Sequence, residues 1–154
     1  MATLQPDTLT RPELEGLAAE LARHLRPGDV VVLSGEVGAG KTTFTRAACA
    51  ALGVRERVTS PTYQLARSYK GCVGGLRVTV NHLDLYRLEG VGVEDALELD
   101  EYLTAGSITF IEWAEPAEGV IRNPSRIFFE HVSEDTRGVS VEGRLAARLG
   151  TDGC

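Results

Sequence analysis

The chain has 154 residues, 43% of them hydrophobic and 25% charged, a mix that fits one globular domain and excludes both a disordered chain and a disulfide-stapled miniprotein. Sixteen Lys and Arg against 22 Asp and Glu leave a formal net charge of −6, which disfavours a protein that grips nucleic acid over a broad basic face but leaves room for a local basic patch. No run reaches the roughly 18 apolar residues of a membrane span, the first residues lack a secretory pattern, and Cys49, Cys72 and Cys154 share no metal-ligand spacing, so the expectation is a cytoplasmic protein with no membrane partner.

Taken in chain order, Thr10 and Glu13 form a capping-box pair, and Leu14, Leu17, Ala18, Leu21 and Leu25 follow at helical spacing, which predicts an amphipathic helix. Arg26-Pro27-Gly28-Asp29 is a turn. Val30-Val31-Val32-Leu33 reads as a strand buried on both faces. A helix is predicted from about Lys41 to Leu52, stopped by Gly53. Val58 to Pro61 reads as an extended link. Tyr63 to Lys70 and Leu76 to Asp84 read as strands joined by a glycine-rich turn, Gly71 to Gly75, with Leu76, Val78, Val80, His82 and Asp84 on one face of the second. A short helix is predicted over Val93 to Tyr102, a buried strand over Ser107 to Trp113, two closing strands over Arg126 to His131 and Gly138 to Gly143, and a last helix over Arg144 to Leu149. The order predicts an α/β sheet with some antiparallel pairs.

Between the first buried strand and its helix stands Gly35-Glu36-Val37-Gly38-Ala39-Gly40-Lys41-Thr42-Thr43, a complete Walker A pattern. Glycines let successive N–H groups turn inward as an anion nest, and the helix beginning near Lys41 aims its positive end at the same point. In that arrangement Lys41 bridges the β- and γ-phosphates of a nucleoside triphosphate, Thr42 offers a hydroxyl to Mg²⁺, and Thr43 reaches the α-phosphate. Asp84 and Glu112 each end an apolar strand, where open α/β sheets present ligand-binding groups; they are the candidate acids for magnesium and the attacking water. Ser60-Pro61-Thr62 has the form of a γ-phosphate switch or of a simple turn. His82 is either a support for the site or a satisfied core histidine, and Trp113 either a site residue or part of the core.

The loop alone does not choose among nucleotide-binding classes. The base-reading Asn-Lys-x-Asp of a GTPase is absent, and Asp84-Leu85-Tyr86-Arg87 is not its Asp-x-x-Gly. A small-molecule kinase calls for an arginine-bearing lid that is not apparent, and a nucleotide-sensing module without useful turnover is the third possibility. Gly35 to Thr43 with Phe44 and Arg46, Ser60-Pro61-Thr62-Tyr63, His82-x-Asp84-Leu85-Tyr86-Arg87-Leu88 and Glu112-Trp113 together closely resemble the TsaE (formerly YjeE) family, small bacterial ATPases of the tRNA threonylcarbamoyladenosine pathway.

The resemblance spans nearly the whole chain. It implies a single P-loop ATPase domain over residues 1–154, α/β in class, with a central mixed sheet flanked by helices and antiparallel strands near the C-terminus. It implies a cytoplasmic role in making N6-threonylcarbamoyladenosine at position 37 of tRNA. There the protein binds ATP and Mg²⁺, hydrolyses ATP weakly alone, and acts with the TsaB–TsaD complex to allow repeated turnover, meeting tRNA only through that complex. Carried onto this sequence, Gly35, Gly38, Ala39, Gly40, Lys41, Thr42 and Thr43 hold the phosphates, with Lys41, Asp84 and Glu112 as the catalytic set. Thr42, Asp84 and Glu112 form the magnesium environment, Glu112 being favoured over Asp84 as the direct ligand. Trp113 and Arg137 lie beside the nucleotide, and Thr10 and Arg11 border the adenine. Glu98, Ala114 and Thr136 depart from residues usual in the family, and Gly71 to Gly75 is slightly long.

Overall fold

A computed structural model describes residues 7–36, 40–58, 66–85, 99–115, 119 and 121–152. They form strands β1 (Asp7–Thr10), β2 (Val30–Ser34), β3 (Ala66–Val73), β4 (Leu76–Asp84), β5 (Ser107–Glu112), β6 (Ser125–His131) and β7 (Thr136–Glu142), with helices α1 (Arg11–Arg23), α2 (Lys41–Ala51) and α3 (Arg144–Asp152). One seven-stranded sheet has the order β1-β7-β6-β2-β5-β4-β3. Its middle strands β6, β2, β5 and β4 are parallel, and antiparallel pairs close both edges, β3 with β4 on one side and β6, β7 and β1 on the other. The mixed α/β sheet expected from the sequence is the fold observed.

Alternation along β2 explains why the sheet is covered on both sides. Val31 and Leu33 join Ile108 and Phe110 of β5 and Ile127 and Phe129 of β6 in the larger core, filled from α1 by Leu14, Ala18 and Leu21, from α2 by Phe44 and Ala48, and by Leu52 at the C-cap of α2. Val32 faces the other way, into a smaller cluster with Leu83, Leu85, Ile111, Leu99, Ala114 and Ile121. All six residues of β5 are buried, as a central parallel strand requires. Phe44 meets Phe129 edge to face, with ring centroids 5.6 Å apart, so the first turns of α2 are anchored on β6. Arg148 donates to Asp29 Oδ2 at 2.6 Å and to the His24 carbonyl at 2.8 Å, lashing α3 to the chain just after α1.

Several boundaries differ from the sequence expectation. Asp7–Thr10 is a strand, paired with β7, where no strand was expected. Gly71 and Cys72 continue β3, opposite Val78 and Arg77, and only Gly74 and Gly75 turn. A Cβ at Gly71 would stand 2.7 Å from the Leu52 carbonyl oxygen, so this glycine serves a close approach of α2 to the sheet rather than a turn. The last helix runs on to Asp152. Of the helix expected over Val93 to Tyr102, Leu99–Glu101 is one turn of 3-10 helix, and Val93 to Glu98 lie outside the described residues, as do Tyr63 to Leu65.

Candidate functional site

The site is built where β2 hands over to α2. Gly40 is the N-cap of α2 at φ 107°, and no side chain caps the helix. The first N–H groups of α2 therefore point past the helix end, an arrangement that attracts anions. Gly35, at the foot of the same turn, has φ +149°, and a Cβ there would meet the Phe129 carbonyl oxygen at 2.6 Å; only glycine lets the chain pass β6 this closely. Gly38 and Ala39 lie outside the described residues, as do Ser60, Pro61 and Thr62.

Lys41, the first residue of α2, is only 6% exposed, and its Nζ stands 4.6 Å from the centre of the Trp113 ring. The indole face attracts the ammonium. Trp113 follows the last residue of β5 directly and has φ 56°, a left-handed conformation rare for a bulky residue. The sequence placed Trp113 at the end of the strand; the strand instead stops at Glu112, and Trp113 forms the bend after it.

Opposite Lys41 are the carboxylates. Asp84 and Glu112 end β4 and β5 as direct register partners, and Glu112 is also level with Leu33 near the end of β2. Three parallel strands thus finish together at this edge, the position at which open α/β sheets bind ligands. Glu112 is 5% exposed. The Nε2 of fully buried His82 lies 2.6 Å from its Oε2, a short, charge-assisted distance.

The flanks come from the two ends of the chain. Arg11 opens α1, whose start is fixed by a complete capping box: the Thr10 N–H and hydroxyl both donate to Glu13 Oε1, at 3.0 and 2.9 Å, and the Glu13 N–H donates to Thr10 Oγ1. These bonds hold the Glu13 carboxyl below the usual carboxylate range. Arg137, the second residue of β7, stands opposite Leu9 of β1 and folds its guanidinium over the β6–β7 turn, donating to the carbonyls of Ser133 and Thr136 at 2.8 and 2.9 Å.

Together these groups enclose a cleft of about 580 Å³ lined by Arg11, Leu14, Gly40, Lys41, Thr42, Thr43, Asp84, Glu112, Trp113, Glu134, Asp135 and Arg137. Nine of the residues singled out from sequence meet here. Thr10 does not line the cleft and acts through its cap, and Gly35 lies behind it against β6. Sequence reasoning missed Leu14, Glu134 and Asp135. Leu14 sits three residues after Arg11 on the same helix face, and the two acids form the turn just before Arg137, so spacing from those arginines was the available signal.

Chemically, the cleft sets one buried ammonium and an uncapped helix end against two strand-end carboxylates and a threonine hydroxyl. Among the described residues no three His, Cys, Asp or Glu gather as a metal-binding group. One or two carboxylates and a hydroxyl are what a magnesium ion takes from a protein when phosphate oxygens and water complete its shell, so the donor set fits that ion.

Comparison with known proteins gives consistent results. The family model described as "Threonylcarbamoyl adenosine biosynthesis protein TsaE" matches residues 9–139. The chain is 40% identical over 133 residues to the tRNA threonylcarbamoyladenosine biosynthesis protein TsaE of Streptomyces coelicolor, covering 82% of this chain and 88% of that one. It is 33% identical over 141 residues to the protein of the same name from Bacillus subtilis, covering 91% and 85%. A crystal structure of Bacillus subtilis YdiB superposes with a TM-score of 0.79 at 26% identity, covering 100% of this chain and 99% of that one.

Proposed function

The chain belongs to the TsaE family of threonylcarbamoyl adenosine biosynthesis proteins, and we propose that it serves tRNA N6-threonylcarbamoyladenosine formation as a Mg²⁺-dependent ATPase working with a TsaB–TsaD complex in the cytoplasm. The observation that carries the ATPase reading is the buried Lys41 at the open end of α2, facing the paired strand ends of Asp84 and Glu112 across one cleft. Among the described residues no helix is long and apolar enough to cross a membrane.

In this reading the N–H groups at the start of α2 and the Lys41 ammonium bind the β- and γ-phosphates, where transition-state charge gathers. Thr42 and the Asp84–Glu112 pair would hold a magnesium ion, with Glu112 favoured as the direct ligand, and the ion would supply positive charge against the phosphates. His82 fixes the Glu112 carboxylate in one orientation, so that this group is preset toward the ion or toward a water in line with the γ-phosphate. Trp113 and Leu14 supply apolar walls that limit solvent in the cleft. Arg11 and Arg137 add positive charge at its mouth.

The test is phosphate release from ATP and Mg²⁺ by the chain alone, then with its own TsaB–TsaD pair and tRNA. Slow release that rises with the pair and disappears in Lys41→Ala is the expected result. Tight ATP binding with no response to the pair would point to a nucleotide sensor instead, and a phosphorylated small-molecule product would point to a kinase.

A further inference from the structure

A second concavity, of about 720 Å³, lies at the foot of the sheet. It is walled by the end of α2, the β3–β4 hairpin and the start of β5, and it presents Arg55, Lys70 and Arg77 with Thr79 and a single acid, Glu56. The three cations and Glu56 are exposed. None of the three cations has an ion-pair or hydrogen-bond partner among the described residues, although acids outnumber bases by 22 to 16 in the chain. Unpaired like charges gathered in one groove of an acidic protein repel one another, and an anionic ligand relieves that repulsion.

The groove is held in shape. The Cys72 N–H donates to the Leu52 carbonyl at 2.6 Å, tying β3 to the end of α2. Arg46 Nε donates to the Val58 carbonyl at 3.0 Å, securing the segment that carries Arg55. Lys70 pairs with Thr79 and Cys72 with Arg77 in the hairpin register, so Lys70 and Arg77 are diagonal neighbours about 7–8 Å apart at the backbone.

The lining also indicates which anion. The cores of protein–protein interfaces are depleted in charge and enriched in aromatic anchors. Here the lining has no aromatic residue, and its one aliphatic side chain, Val78, is buried. Long cations and a hydroxyl are instead the composition that meets phosphodiesters. Without aromatic rings there is no platform for stacking bases.

We propose that this groove binds the phosphodiester backbone of RNA, giving the chain a direct, sequence-independent contact with tRNA, which departs from the purely complex-mediated contact that the sequence resemblance implies. The choice of RNA rests on the family's part in tRNA modification and not on the ATPase reading. The contact is separate from the nucleotide cleft: α2 carries Lys41 at one end and leads to Gly53 past the other, and its 11 residues span about 16 Å. Both sites can be occupied at once.

The test is fluorescence anisotropy of a labelled, unmodified tRNA transcript titrated with the full chain at about 50 mM salt and above. Binding is expected with a slope of log affinity against log salt of about −2 to −3, the value for some three phosphate contacts. The variant Arg55→Glu/Lys70→Glu/Arg77→Glu should bind at least about tenfold more weakly. A charge-matched control, Arg23→Glu/Arg122→Glu/Arg144→Glu, reverses three exposed arginines outside the groove and should lose less than threefold, roughly. Lys41→Ala should bind tRNA like the parent even if it binds no ATP, which separates failure of this proposal from failure of the ATPase reading. Absence of tRNA binding at low salt, or equal losses in the groove and control variants, would overturn it. So would loss of TsaB–TsaD binding by the groove variant with tRNA affinity unchanged, which would assign the groove to an acidic protein surface.

Discussion

His82 and Glu112 are buried side by side on β4 and β5, Nε2 to Oε2 at 2.6 Å, yet they are not register partners. The register sets His82 beside Phe110 and Asp84 beside Glu112. The contact is a diagonal one, open to two residues of matching parity on parallel strands. It places a rigid donor behind the more enclosed of the two carboxylates. Among the described residues, buried His82 Nδ1 has no hydrogen-bond partner, and the contact that holds the ring there is the one to Glu112.

Removing that donor should separate positioning from binding. His82→Ala is expected to strand a buried carboxylate oxygen at a loss of about 1–3 kcal/mol and to lower kcat for phosphate release while ATP affinity stays within about threefold. His82→Gln, whose amide can still donate, should recover part of the rate. If kcat is unaltered in the alanine variant, the histidine is merely core.

Lys41→Ala should weaken ATP binding more than a hundredfold, since charge-assisted bonds to two phosphates contribute about 3 kcal/mol or more together. Calorimetry measures this directly. Trp113 is the only tryptophan, and its ring lies against the Lys41 ammonium; nucleotide that draws the ammonium away should therefore change the emission of the parent. An emission change of equal size in Lys41→Ala would show that the lysine is not what the indole senses.

The turn before α2 admits little variation. Gly35→Ala forces a Cβ onto the Phe129 carbonyl at a strained φ, for a loss of about 1–3 kcal/mol. In a chain of this size that corresponds to a melting-temperature drop of several degrees, about 2–4 °C per kcal/mol. Thermal unfolding checks it, and a melting temperature equal to the parent's would mean that β6 yields easily.

Burial pushes the Cys49 thiol up to about 12 from an ordinary value of 9.0, because a thiolate inside the core is desolvated. The folded state therefore holds this proton more tightly than the unfolded state. The stability tied to it is fully present below about 9 and is lost as pH rises toward 12. At pH near 8 a disulfide reagent should modify exposed Cys72 rapidly and Cys49 only on unfolding. Equal rates at the two positions in the native protein would contradict the burial.

Much of this was legible because it is local. The Thr10–Glu13 cap, the β-branched run of β2 and the glycine-Lys41 turn each carry their cause within a few residues, and the observed elements follow them. The two strand-end acids were legible too, since apolar runs ending in a carboxylate mark the same edge of a parallel sheet. What escaped depends on distant partners. Nothing in Asp7–Thr10 announces a strand until β7 lies alongside. Gly71 looks like a turn until the Leu52 carbonyl is seen against it. The acids of the β6–β7 turn line the cleft beside Arg137, whose place is set by its pairing with Leu9 across the sheet edge.

That last pairing also sets an order of assembly. The glycine turn and α2 lie in the first third of the chain, whereas the cleft wall is finished by β7, held beside β1 through contacts well over a hundred residues apart in sequence. Loop closure over such separations is slow and comes late in folding. A nascent chain can thus have its entire glycine-lysine loop outside the ribosome and still lack a completed pocket, so nucleotide should protect the finished protein from proteolysis far better than any fragment that ends before Thr136.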